Sequence, residues 1–297
     1  MRRYKPGDAG GQPSAGRKLP QTSYVTILEG NALNAVKRIS ETQKEVESSK
    51  HLTEQEAQSL NDLAAQLDQS PKDPHPTDKQ TNALLKVATT WPSKARVPAV
   101  ALLARLAVSP SFVNTTSAGN DELITTTLAS AGLLSAKQPT ANNAVHAIRL
   151  IANLFASDTG RLITDGTFEQ TLQSVRQFAS EPESSAQSRA LATLYLNYAV
   201  QLTSQAPSEE SRTREQRAQV LIRDIAFMLE CESPHASDGD ALFRALCALG
   251  TLVTLGEDFR QQMKGGLAGT LHFVNSKPAA QRQDVKEVVQ EIRDELR

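Results

Sequence analysis

Residues 144–155 read AVHAIRLIANLF, residues 190–200 read ALATLYLNYAV and residues 242–253 read LFRALCALGTLV. Each run is rich in Ala and Leu, free of Pro, and apolar nearly all the way round. That is the pattern of a helix enclosed by other helices rather than of one floating a single apolar stripe on a surface. A fourth run, VPAVALLARLAV at 97–108, is as rich in Ala and Leu but carries Pro98 near its start, and the four starts lie 47, 46 and 52 residues apart. Between them come more amphipathic stretches at Leu123–Leu134, Phe168–Phe178 and Ala218–Leu229, separated by Ser, Gly, Pro and Asp. A period in the forties with two or three helices per unit is the mark of HEAT or armadillo repeats. The expected fold is therefore all-α, an armadillo-like solenoid, with a generic helical bundle as the simpler alternative.

Composition points the same way. Apolar residues make up 39% of the chain but aromatics only 4%, which suits closely packed Ala/Leu helices better than a β-sandwich. The 32 basic residues against 33 acidic ones argue against binding of a nucleic acid through bulk charge. No run approaches the roughly 18 apolar residues of a membrane span. Arg2, Arg3 and Lys5 have no apolar stretch behind them, unlike a signal peptide. Cys231 and Cys247 are the only cysteines, too few for a disulfide framework and consistent with a reducing compartment. These features lead us to expect a soluble, intracellular protein.

Along the chain, residues 1–20 are rich in Gly, Pro and basic residues and read as a linker ahead of a domain at 21–297. Tyr24–Leu28 is an extended lead-in. A helical pattern starts around Ala35, Val36 and Ile39. Thr53 and Glu56 have capping-box spacing ahead of Leu60, Leu63, Ala64 and Leu67. Pro71, Pro74 and Pro76 predict a loop over Asp68–Lys79. At the far end, Val285, Val288, Val289, Ile292 and Leu296 share one face of a helix over Asp284–Arg297.

Polar residues inside the most apolar helices are the candidates for function. Arg105, Arg149, Asn153, Asn197 and Arg244 are of this kind. The steps from Arg105 to Arg149 and from Asn153 to Asn197 are both 44 residues. Asn offers a donor and an acceptor that suit an extended main chain, and Arg offers a planar fork for carboxylates. One reading is a groove for an extended peptide bearing acidic or C-terminal carboxylates. The other is that each side chain satisfies loop carbonyls or pairs with a neighbouring acid. Enzyme signatures are missing: no phosphate loop, no HExxH and no CxxC. Cys231 and His235 fall at a helix end without further ligands nearby in sequence. Cys247 reads as a small apolar core residue, and His146 as a structural histidine. Trp91 either packs at a helix start or anchors a ligand at a groove mouth.

These helices resemble a known family. RALATLYLNYAV (189–200), FRALCALGTL (243–252) and NAVHAIRLIANLF (143–155) are similar to the hallmark segments of the PUL domain. That domain ends the phospholipase A-2-activating proteins, whose fungal members are ubiquitin-homeostasis WD-repeat proteins. PAVALLARLAVSP (98–110), LPQTSYVTILEGN (19–31) and the Leu-Thr-Glu at 52–54 extend the resemblance, and RYKPG (3–7) resembles the family's linker after its ubiquitin-binding module.

The resemblance implies an armadillo-like adaptor without catalytic activity, cofactor or metal. It would dock the C-terminal tail of the hexameric valosin-containing AAA+ ATPase, Cdc48 in fungi, along a basic concave groove. Ubiquitin would be bound through other modules of a longer WD-repeat protein. The implied roles are ubiquitin-dependent degradation and ubiquitin recycling in cytoplasm and nucleus, with no nucleic-acid or membrane partner. An alternative within the same resemblance is an accessory PUL domain fused to a thioredoxin-like or deSUMOylating isopeptidase unit. Carried over residue by residue, Arg149, Asn153, Asn197, Tyr198 and Arg244 match the family pattern as peptide-contacting positions. Arg149 and Arg244 are expected to face carboxylates. Arg105 departs from the pattern: the family's Arg falls on Ala104, and one residue turns a helical side chain by about 100°. The family's Asp in that motif is Ala101 here.

Overall fold

The computed structural model describes residues 17–71, 73–116, 141–204, 211–233, 235 and 238–297. Among these residues the chain is all-α and contains no strand, in keeping with the armadillo-like class. The Leu123–Leu134 run and RYKPG lie outside them. No single described helix is long and apolar enough to cross a membrane. The helices cluster as two compact units, residues 25–175 and residues 1–24 with 176–297.

The first unit holds α1 (Ala32–Thr42), α2 (Glu54–Gln69), α3 (Asp78–Thr90), α4 (Ser93–Leu106), α5 (Pro110–Thr116), α6 (Ala141–Leu154), α7 (Asp158–Gly166) and α8 (Phe168–Val175). Helix α4 is central and packs on α1, α3 and α6. Its Ala95, Ala99 and Ala104, with Ala144, Ala147 and Ala152 on α6, are buried; such small residues let two helix axes approach closely. Leu102, Leu103, Leu106, Ile148 and Ile151 fill the remaining space, each contributing about 1.5–3 kcal/mol by leaving water.

Local chemistry fixes where these helices start. Thr53 Oγ1 accepts from the Glu56 N–H at 3.2 Å while Glu56 Oε2 accepts from the Thr53 N–H at 2.7 Å, the expected capping box. Thr77 and Gln80 repeat it ahead of α3. The second box went unnoticed in the sequence, so the predicted loop over Asp68–Lys79 is too long at both ends. Helix α2 runs to Gln69 and α3 begins at Asp78. Trp91 is fully buried and its Nε1 donates to the Lys50 carbonyl at 3.0 Å, which is the packing role rather than the anchor role.

The second unit holds α9 (Gln177–Ser180), α10 (Ser185–Ser204), α11 (Ser211–Glu230), α12 (Gly239–Val253), α13 (Glu257–Asn275) and α14 (Gln283–Glu295). Helices α10 and α12 form its most extensive contact, and α14 packs on α12. The C-terminal helix buries Val285, Val288, Val289, Ile292 and Leu296, the predicted face. Helix α13 carries Gly265, Gly266 and Gly269 on its exposed face, where they lower helix propensity, and the sequence pattern does not mark it as a helix.

One segment differs from its compositional reading. Arg17–Pro20, taken as the end of a linker, is seated on α12 and α14. The Glu291 carboxylate accepts from the Lys18 N–H at 3.0 and 2.9 Å and from the Leu19 N–H at 2.9 Å. Thr251 Oγ1 accepts from the Gln21 N–H at 2.9 Å. Lys18 pairs with Glu287 and Arg17 with Glu295, so a stripe of three acids one turn apart on α14 faces two basic residues. Leu19 is 3% exposed and lies over Gly250. A methyl group at Gly250 would stand 2.2 Å from Leu19 Cδ1 and 3.0 Å from Ile292 Cγ1. Composition hides this arrangement because one apolar side chain and a few main-chain N–H groups do the seating.

Candidate functional site

In the first unit, α6 presents Arg149 and Asn153 one turn apart, on the same helix face. Asn153 is fully buried. Its Oδ1 accepts from the Ile27 N–H at 2.6 Å, and its Nδ2 donates to the Ile27 carbonyl at 3.0 Å and the Ala104 carbonyl at 2.6 Å. The side chain therefore clamps a stretch of main chain outside any helix or strand, and that main chain is the protein's own lead-in. Arg149 Nη2 donates to Glu29 Oε2 at 2.6 Å; the arginine side chain is 11% exposed and the glutamate 57%.

Arg105, the position that departs from the family pattern, is 6% exposed and turned inward. Its Nη1 donates to Asp68 Oδ1 at 2.9 Å and to the Gly30 carbonyl at 3.4 Å, and its Nη2 to the Leu67 carbonyl at 2.9 Å. Asp68 also accepts from the Ala32 and Leu33 N–H groups. Burial alone would raise the Asp68 carboxyl, but Arg105 and those two N–H groups outweigh it and hold it below its usual range. Arg105 thus ties the end of α2 to the start of α1. The 44-residue step from Arg105 to Arg149 does not carry one role from helix to helix: one guanidinium is interior, the other meets an exposed acid.

In the second unit, Asn197 and Tyr198 lie within α10 and are 0% and 1% exposed. Arg244, on α12, is half-buried, and its Nη1 donates to Thr193 Oγ1 at 2.6 Å. Thr193 Oγ1 in turn donates its O–H to the Arg189 carbonyl at 2.7 Å. Of the six candidates, Arg149 and Arg244 are the two that are not buried.

The sequence reading missed the partners. Glu29, Asp68 and Thr193 decide what each arginine does. The only available signal for Glu29 was its place at the end of an apolar lead-in, just before Gly30, whose φ of +107° marks a turn that favours glycine. Cys247 is buried, and burial pushes its thiol pKa up. The half-buried Cys231 thiol donates to the Ser180 carbonyl at 2.7 Å. Among the described residues no group of three or more His, Cys, Asp or Glu could hold a metal ion.

His146 stands beside this site on α6. Burial, aided by the Arg149 charge, pushes its pKa down from 6.5 to about 4. Because the folded value is depressed, the neutral ring favours the fold fully above pH 6.5. That contribution is lost as pH falls from 6.5 through about 4. The stability difference between wild type and His146→Gln should therefore shift by about 2–3 kcal/mol between pH 7.5 and pH 4.5. Urea melts of both proteins at the two pH values check this; equal shifts in both would mean that His146 is not the titrating group.

A family model described as the PUL domain matches residues 19–291. No curated protein matches the chain.

Proposed function

Because the chain belongs to the PUL domain family, whose members are helical protein-interaction domains rather than catalysts, we propose that it is an adaptor domain. Its ligand is the C-terminal tail of the valosin-containing AAA+ ATPase. Through it a ubiquitin-pathway protein of the cytoplasm and nucleus links ubiquitylated cargo to degradation and ubiquitin recycling. The observation that carries this reading is the family match over nearly the whole chain. Two side chains support it chemically. Arg149 meets a solvent-exposed carboxylate, and the half-buried Arg244 donates to the Thr193 hydroxyl; the planar fork of each guanidinium suits a carboxylate. Asn153, Asn197, Tyr198 and Arg105 act behind them as part of the two interiors.

A charge-assisted hydrogen bond contributes about 1.5–3 kcal/mol. Two such bonds with an apolar anchor give roughly micromolar binding, about −8 kcal/mol. Fluorescence anisotropy of a labelled tail peptide should show saturable binding that weakens as salt is raised. Arg244→Ala should weaken it roughly 10- to 100-fold. The variant should stay folded, because Thr193 keeps its bond to the Arg189 carbonyl. Unchanged binding by a folded Arg244→Ala protein would remove Arg244 from the site. No binding by the wild type at high protein concentration would sink the adaptor reading.

A further inference from the structure

Asn153 and Arg149 grip one and the same passing segment. Asn153 holds the Ile27 main chain through both its N–H and its carbonyl. Two residues further on, Glu29 places its carboxylate on Arg149. Ile27 and Glu29 lie two residues apart outside any helix or strand, so one helix face reads this segment as it would read an acidic peptide: main chain through the amide, carboxylate through the guanidinium.

The two grips differ in permanence. The Asn153–Ile27 bonds are buried, and the chain beyond them is pinned again. The Gly30 carbonyl accepts from Arg105, and the Ala32 and Leu33 N–H groups donate to Asp68. The main chain on either side of Glu29 is therefore held independently of Glu29. The Glu29 side chain itself is 57% exposed, and its carboxylate can swing into water without disturbing either anchor.

We propose that Glu29 is a resident carboxylate that occupies Arg149 and must leave when a carboxylate-bearing peptide docks there, so that it sets the apparent affinity of the site. This inference rests on the docking reading above. A site open in only part of the population binds more weakly by that fraction. For a partly exposed ion pair, closed for roughly 50–80% of the time, removal of the resident acid should tighten binding roughly two- to fivefold.

The test is the anisotropy titration at low salt with a labelled ATPase tail peptide ending in a free carboxylate, run on wild type, Glu29→Gln, Arg149→Gln and the double variant. Glu29→Gln is expected to bind two- to fivefold tighter with a melting temperature close to wild type. Arg149→Gln is expected to bind about tenfold more weakly. In the Arg149→Gln background, Glu29→Gln should change nothing. If wild type binds and Arg149→Gln is weaker while Glu29→Gln is no tighter, the inference fails and the docking reading stands. A gain from Glu29→Gln that persists without Arg149 reflects long-range charge and also overturns it. If no variant binds, the docking reading falls and the inference falls with it.

Discussion

Asn153→Ala should lower the unfolding free energy of the first unit by about 3–5 kcal/mol, the largest single effect we expect in this protein. The residue satisfies three buried main-chain groups at once. Ile27 lies outside any helix or strand, so its N–H and carbonyl have no partner within a helix or ladder. Ala104 is in the last turn of α4, where helix carbonyls lack an intrahelical donor. Truncation leaves these groups buried and unpaired, at about 1–3 kcal/mol each, partly relieved if water enters. Asn153→Asp separates the terms. It keeps an acceptor for the Ile27 N–H but sets a carboxylate against two carbonyls, and it should be at least as harmful. Calorimetry and amide hydrogen exchange would read the effect, with loss of protection concentrated at Val25–Gly30. A melting temperature lowered by roughly 10 °C is the expected scale. A change under about 1 kcal/mol would mean that the lead-in is held by other contacts.

The second large effect concerns Gly250. In an open helix interior, Gly→Ala stabilises by about 1 kcal/mol. Here the sign should reverse, because the added methyl would stand 2.2 Å from Leu19 Cδ1, and Leu19 cannot retreat while its N–H and that of Lys18 are bonded to Glu291. Overpacking of this kind costs about 1–3 kcal/mol. Leu19→Ala alone should cost about 2–4 kcal/mol by opening a cavity. The double variant places the new methyl in that cavity, so its cost should fall well below the sum, with a coupling of about 1–3 kcal/mol. Additive costs in a four-member urea-melt cycle would show that the two side chains do not share the space.

The runs at 144–155, 190–200 and 242–253 were legible because a helix buried on all sides needs little more than Ala and Leu in number. The terminal helix was legible because its five apolar residues keep one period. Helix α13 was not: its buried Phe259 and Leu267 stand eight residues apart, and its three glycines lower helix propensity. For the site, residue types carried the right chemistry but not the identity of the ligand. Asn153 holds main-chain groups and Arg149 holds a carboxylate, and both belong to residues 27–29, more than a hundred positions upstream. Long-range partnerships of this kind leave no periodicity in a single sequence. Arg105 shows the same limit from the other side, since Asp68 and the Leu67 and Gly30 carbonyls hold it inward.

The seating of Lys18 and Leu19 on Glu291, 273 and 272 residues away along the chain, has a consequence for biosynthesis. Chains are made at roughly 5–20 residues per second, so the early segment waits on the order of 15–50 seconds before its partner helix exists. Until then Leu19 has no socket, and the α12 surface around Gly250 has no cover. Lys18 and Leu19 are therefore among the last residues of the second unit to find their partners during synthesis, and nascent chains arrested before α14 should be the form most exposed to proteases and chaperones.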